Sequence, residues 1–146
     1  MPLITEEDYL RLSEHLCVID EFLDGFHAEH GYICQPWPLC GRYPNRMLYR
    51  TDGSIQQSIQ VTMDCDQDGE RFEHFFPAIP YTVFGATWID DKRNLTRCYA
   101  PSIRLDRVPF TRLVSILPHV LSHFHRYLSD INEEAIRAFE SSSEIS

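Results

Sequence analysis

The chain has 146 residues, 43% of them hydrophobic and 24% charged, and a formal charge of −9 at neutral pH with histidine uncharged. That length can bury a core without disulfides or a structural metal, so one domain over residues 1–146 is expected, and the apolar share argues against wholesale disorder. The negative balance repels phosphate backbones and anionic lipid, which disfavours nucleic acid and membrane partners and favours a basic protein partner.

The opening residues MPLITEEDY lack a basic stretch followed by an apolar run, and no segment approaches the roughly eighteen apolar residues of a membrane span. Five cysteines (Cys17, Cys34, Cys40, Cys65, Cys98) without a secretion signal read as reduced thiols in a cytoplasmic protein, serving as small core hydrophobes.

A helix is predicted from Thr5 to His30. Thr5 can cap it, Glu6, Glu7 and Asp8 favour its positive end, and Leu12, Leu16, Ile19, Leu23 and Phe26 form one apolar stripe. Gly31 is a natural stop. Pro36-Trp37-Pro38 makes Tyr32 to Pro44 an extended connector or an edge strand.

Strands follow. Met47–Arg50 and Ser54–Asp64 flank Thr51-Asp52-Gly53, a strong hairpin signal. In the second run Ile55, Ile59, Val61 and Met63 alternate with Gln56, Ser58, Gln60 and Thr62, as expected of an antiparallel sheet with one buried and one wet face. Further strands are expected at Arg71–Phe76, Tyr81–Ile89 and Leu95–Tyr99, for five or six in all.

The last third reads as helical. Phe110, Leu113, Val114, Leu117, Leu121, Phe124 and Leu128 share one side, and Pro118 should kink the run or restart it. Asp130 with Glu133 resembles a capping box for a short helix to about Phe139, with residues 141–146 as a frayed tail. The fold expected is α+β: an N-terminal helix, a mainly antiparallel sheet, and C-terminal helices packed on one sheet face.

Several clusters carry candidate chemistry. Asp64, Asp66 and Asp68 match the start of a calcium loop, but position twelve is Phe75 rather than Glu, and an acidic turn explains the same residues unless Glu70 or Glu73 substitutes. His119, His123 and His125 lie on the C-terminal helix, the first two at a metal-compatible spacing, with no obvious further ligands; His27, His30 and Cys34 are the nearest additions, and surface or partner-facing histidines are the simpler account. Arg42, Arg46 and Arg50 make a loose basic cluster, too small to outweigh the acidic background. Among the cysteines none is marked as a nucleophile: Cys65 lies among carboxylates, while Cys34 and Cys40, either side of Trp37, are less compromised. No phosphate loop, dinucleotide motif or nucleophile elbow occurs, so no cofactor is expected and the reading leans away from catalysis.

Ile116, Val120, His123 and Tyr127 form a second stripe on the C-terminal helix, beyond what one sheet contact requires. Either the first helix covers it, or it docks a partner protein or a second copy of the chain. The function expected is therefore a non-catalytic acidic binding module like an inhibitor, immunity protein or chaperone. The alternatives are a small-ligand domain or enzyme, with an aromatic-lined pocket between the Tyr81–Trp88 strand and the helices, and a metal-binding protein.

Overall fold

A computed structural model describes residues 6–36, 46–63, 80–91 and 96–145. In chain order the elements are α1 (Glu6–His30), β1 (Ile33–Pro36), β2 (Arg46–Asp52), β3 (Ile55–Met63), β4 (Tyr81–Asp91), β5 (Thr96–Tyr99), β6 (Ile103–Val108), α2 (Phe110–Ser129) and α3 (Glu133–Ile145). Every strand pairing is antiparallel, in the order β1-β2-β3-β4, with β5 and β6 both paired to β4. The architecture is α+β.

The helix α1 ends where the glycine allows it to. Gly31 has φ +76°, and the N–H groups of Gly31 and Tyr32 both donate to the carbonyl of His27, at 3.0 and 3.2 Å. This left-handed cap satisfies the helix end and turns the chain inward, so that Tyr32 is only 3% exposed. The chain then enters β1, the edge strand, with Pro36 at its last position.

The β2–β3 hairpin closes through Gly53 and Ser54, since Asp52 pairs with Ile55 and Gly53 carries φ +61°. On the other side of β3 the long strand β4 turns Tyr81, Val83, Gly85, Thr87 and Ile89 to the helices, all of them buried. Gly85 lets α2 come close: a Cβ there would lie 2.9 Å from Ile103 and 3.4 Å from Phe124. The edge beyond β4 is shared. Trp88–Asp91 pair with β5 and Tyr81–Gly85 with β6. One extra residue enters β6 between the Tyr81 and Val83 pairings, and Arg107 there adopts φ +58°, so β6 is bulged.

Helix α2 buries Leu113, Leu117, Leu121, Phe124 and Leu128, the stripe its periodicity predicts. It neither stops nor restarts at Pro118, whose exposed ring faces away from the core in one continuous helix. It lies parallel to α1: His15 stacks on Phe110 at 3.5 Å, and His30 packs on His125 at 4.2 Å between centroids. Helix α3 closes the far end of the sheet, where Ile136 meets Ile89 and Ala100 in a second small core.

Three local expectations need correction. The cap of α3 is Asn132, whose Oδ1 accepts from Ala135 N–H at 2.8 Å, while Asp130 closes α2. The same helix extends past Phe139 to Ile145, through most of the segment expected to fray. The strand Ile103–Val108 is not among the expected strands: Ile103 to Asp106 alternate for only four residues before the bulge at Arg107 breaks the period-two pattern. The expected strand Arg71–Phe76 lies outside the described residues.

Candidate functional site

The main core is solid between β4 and the helices. Tyr81, Val83, Leu113, Leu117 and Leu128 are all at 0% exposure, and the space above Gly85 is filled by Ile103, Phe124 and Leu128. A concave feature lies further along, beyond the C-terminal end of α2: a recess of about 330 Å³ lined by Arg50, Asp52, Ile55, Gln57, Leu128, Ser129 and Ile131.

Strand register builds it. Leu48, Arg50 and Asp52 share the helix-facing side of β2, opposite Ile59, Gln57 and Ile55 of β3. Where α2 lies over the sheet the Leu48–Ile59 pair is apolar; where it ends the pairs are Arg50–Gln57 and Asp52–Ile55. Gln57 is only 5% exposed and is fully engaged. Its Nε2 donates to Thr87 Oγ1 at 3.1 Å and to the Leu128 carbonyl at 2.5 Å, which leaves Oε1 to accept from Arg50 Nε at 2.8 Å. A buried amide satisfied on both ends is a rigid mount for the guanidinium.

Arg50 is held on three further sides. Its Nη2 donates to Ser129 Oγ at 3.1 Å, its Nη1 to His125 Nδ1 at 3.4 Å, and its charge sits 4.7 Å from the centroid of the Tyr32 ring. Arginine can only donate, so His125 Nδ1 is an acceptor and its proton resides on Nε2. The Tyr32 hydroxyl, 2.9 Å from the same nitrogen, is therefore the donor in that pair. Burial lowers the His125 pKa below its ordinary value, with Arg50 and then His30 adding to the effect. Burial also raises the Tyr32 phenol pKa, against an opposing pull from Arg50. Both groups are held in their neutral forms.

Around Arg50, then, every contact is with an uncharged group: Gln57, Ser129, Tyr32 and neutral His125. Among the described residues no carboxylate forms an ion pair with it. Asp52, two positions along β2, lines the recess at its exposed mouth.

A second histidine is used in the same way at the other end of the helix pair. His15 lies flat on Phe110 with its Nδ1 3.3 Å from the hydroxyl of buried Tyr81, and burial lowers its pKa.

The residues singled out by sequence are scattered. Ile116, Val120 and Tyr127 are half-buried and pack against the main core, with the Tyr127 hydroxyl donating to the Pro101 carbonyl at 3.3 Å, while His123 is exposed. His119 is exposed as well, and among the described residues no three His, Cys, Asp or Glu side chains converge on a metal position. It is His125, not His119 or His123, that meets His30. The basic cluster divides: Arg46 forms a two-contact ion pair with Asp20, at 2.7 and 3.4 Å, whereas Arg50 enters the recess. Cys17 is exposed, and the Cys34 thiol is pushed up in pKa by burial, then Asp20 and Asp24, which makes it a poor nucleophile. Asp64, Asp66, Asp68, Glu70, Glu73, Phe75, Arg42, Trp37, Cys40 and Cys65 lie outside the described residues.

Sequence reasoning passed over Arg50, Gln57, Tyr32 and His125 as a group. One signal was available: Gln57 falls on the Ile55–Ile59 face of β3, a polar residue at an apolar position.

No family model, curated protein or solved structure matches this chain. Among the described residues no helix is long and apolar enough to cross a membrane.

Proposed function

We propose that this is a binding domain rather than a catalyst, and that the Arg50 recess is its recognition element. The observation that carries the reading is a half-buried guanidinium, fixed by Gln57 and Ser129 and, among the described residues, in contact only with neutral groups. A guanidinium partly withdrawn from water, with N–H groups to spare, is suited to a ligand that brings negative charge to it. His125 supports binding over catalysis, since its Nδ1 lone pair already accepts from Tyr32 and Arg50. A fragment survey by proton–nitrogen NMR tests this. Fragments that bind should move the Gln57 side-chain amide and the Ser129 backbone amide first; hits that leave both unmoved would count against the recess.

Docking of a partner protein is the second reading, favoured by a different surface. On the sheet face turned away from the helices, Tyr49, Trp88 and Tyr99 follow one another at 6.2 and 6.5 Å between ring centroids. Ile33 pairs with Tyr49 at one end and is 56% exposed, and Tyr99 at the other end is 44% exposed. With a charge of −9 the chain would attract a basic partner, whose association rate should fall as salt is added. A rate independent of ionic strength speaks against it.

A further inference from the structure

We infer that the Arg50 recess takes a small aliphatic monocarboxylate, its carboxylate paired with the Arg50 guanidinium and its alkyl body against Ile55 and Ile131. This rests on the reading of the recess as a binding site and adds the chemical class of the ligand.

The head group follows from the donors. A guanidinium carries more N–H groups than the contacts to Gln57, Ser129 and His125 consume, and its planar fork matches a carboxylate. Gln57 is itself held by Thr87 and the Leu128 carbonyl, so the fork is positioned before any ligand arrives. The Ser129 hydroxyl donates to the His125 carbonyl at 2.7 Å while accepting from Arg50, and so is also fixed.

The charge limit follows from Asp52. It lines the same recess, and a second negative charge on the ligand would be repelled by it and by a chain of net charge −9. This selects a single carboxylate over a phosphate. The body follows from the wall: Ile55 and Ile131 are half-buried and give the recess an apolar lining. A volume near 330 Å³ belongs to the small end of ligand pockets and suits a short branched or linear chain.

The test is isothermal titration of the full chain at neutral pH with 4-methylpentanoate, its uncharged amide 4-methylpentanamide, and inorganic phosphate. The acid should bind at least about tenfold more tightly than the amide or phosphate, the size of one charge-assisted contact. Arg50→Met should remove that preference, Ser129→Ala should weaken acid binding, and Asp52→Asn should tighten it. Should Arg50→Met fail to fold, the Ser129 and Asp52 variants, both at exposed positions, still decide. An amide that binds as well as the acid, a preference for phosphate, or acid binding unaffected by Arg50→Met each overturns the assignment. Silence from all three probes also overturns it, and the broader reading then falls only if the fragment survey leaves Gln57 and Ser129 unmoved.

Discussion

Tyr32 and His125 are 93 positions apart in the chain, yet the tyrosine hydroxyl donates to the imidazole Nδ1 at 2.9 Å. Two local decisions bring them together: the Gly31 cap that turns Tyr32 inward, and the parallel course of α1 and α2 that sets His125 beside His30. The pair forms one wall around Arg50.

Replacing Tyr32 with Phe removes the hydroxyl but keeps the ring under the guanidinium. The loss expected is about 1 kcal/mol, the net worth of one such hydrogen bond. Tyr32→Leu should cost more, because it also forfeits the cation–π contact and leaves unfilled space. Urea denaturation of the two variants checks the order; equal losses would mean that the ring contributes nothing beyond its hydroxyl.

The two neutral histidines make stability depend on pH. Burial depresses the pKa of His15 and His125 below the ordinary value of 6.5, so the unfolded chain binds more protons than the folded one below that value. Their contribution is fully present above the unfolded value and is lost as pH falls through the folded values. A His15→Gln/His125→Gln double variant should therefore lose less stability than the parent between about pH 7 and pH 5. Parallel curves from thermal or urea melts would contradict this.

Arg107 holds φ +58° at the β6 bulge, a conformation that costs a side-chain-bearing residue roughly 1–2 kcal/mol. Arg107→Gly should raise stability by about 0.5–1 kcal/mol once the greater freedom of glycine in the unfolded chain is deducted. A lower urea midpoint would show that the Arg107 side chain has a stabilising role that outweighs the strain.

The long elements were legible because they carry strong periods. The α2 stripe, the C-terminal half of the α1 stripe and the Asp-Gly hairpin stand where pattern placed them, with Ile19, Leu23, Phe26, Leu113, Leu117 and Leu121 inside. The strand β6 was not, since its alternation runs for only four residues before the bulge. The recess was harder still. Arg50 and Gln57 face inward only because the β2–β3 register fixes it, and Ser129 reaches them only because α2 stops there. No local window contains that convergence. The Ile116, Val120, Tyr127 stripe was visible in the sequence, but its neighbours in the packed core were not.

Recognition at the recess requires the Arg50 guanidinium to accept a negatively charged group. The direct measurement is the Arg50 Nε–H resonance in a proton–nitrogen spectrum, assigned with Arg50→Lys and followed while 4-methylpentanoate is added. A saturable shift of that resonance, with the Gln57 amide moving alongside it, is the predicted result. A resonance that stays in place while the acid binds elsewhere, or does not bind, would contradict it.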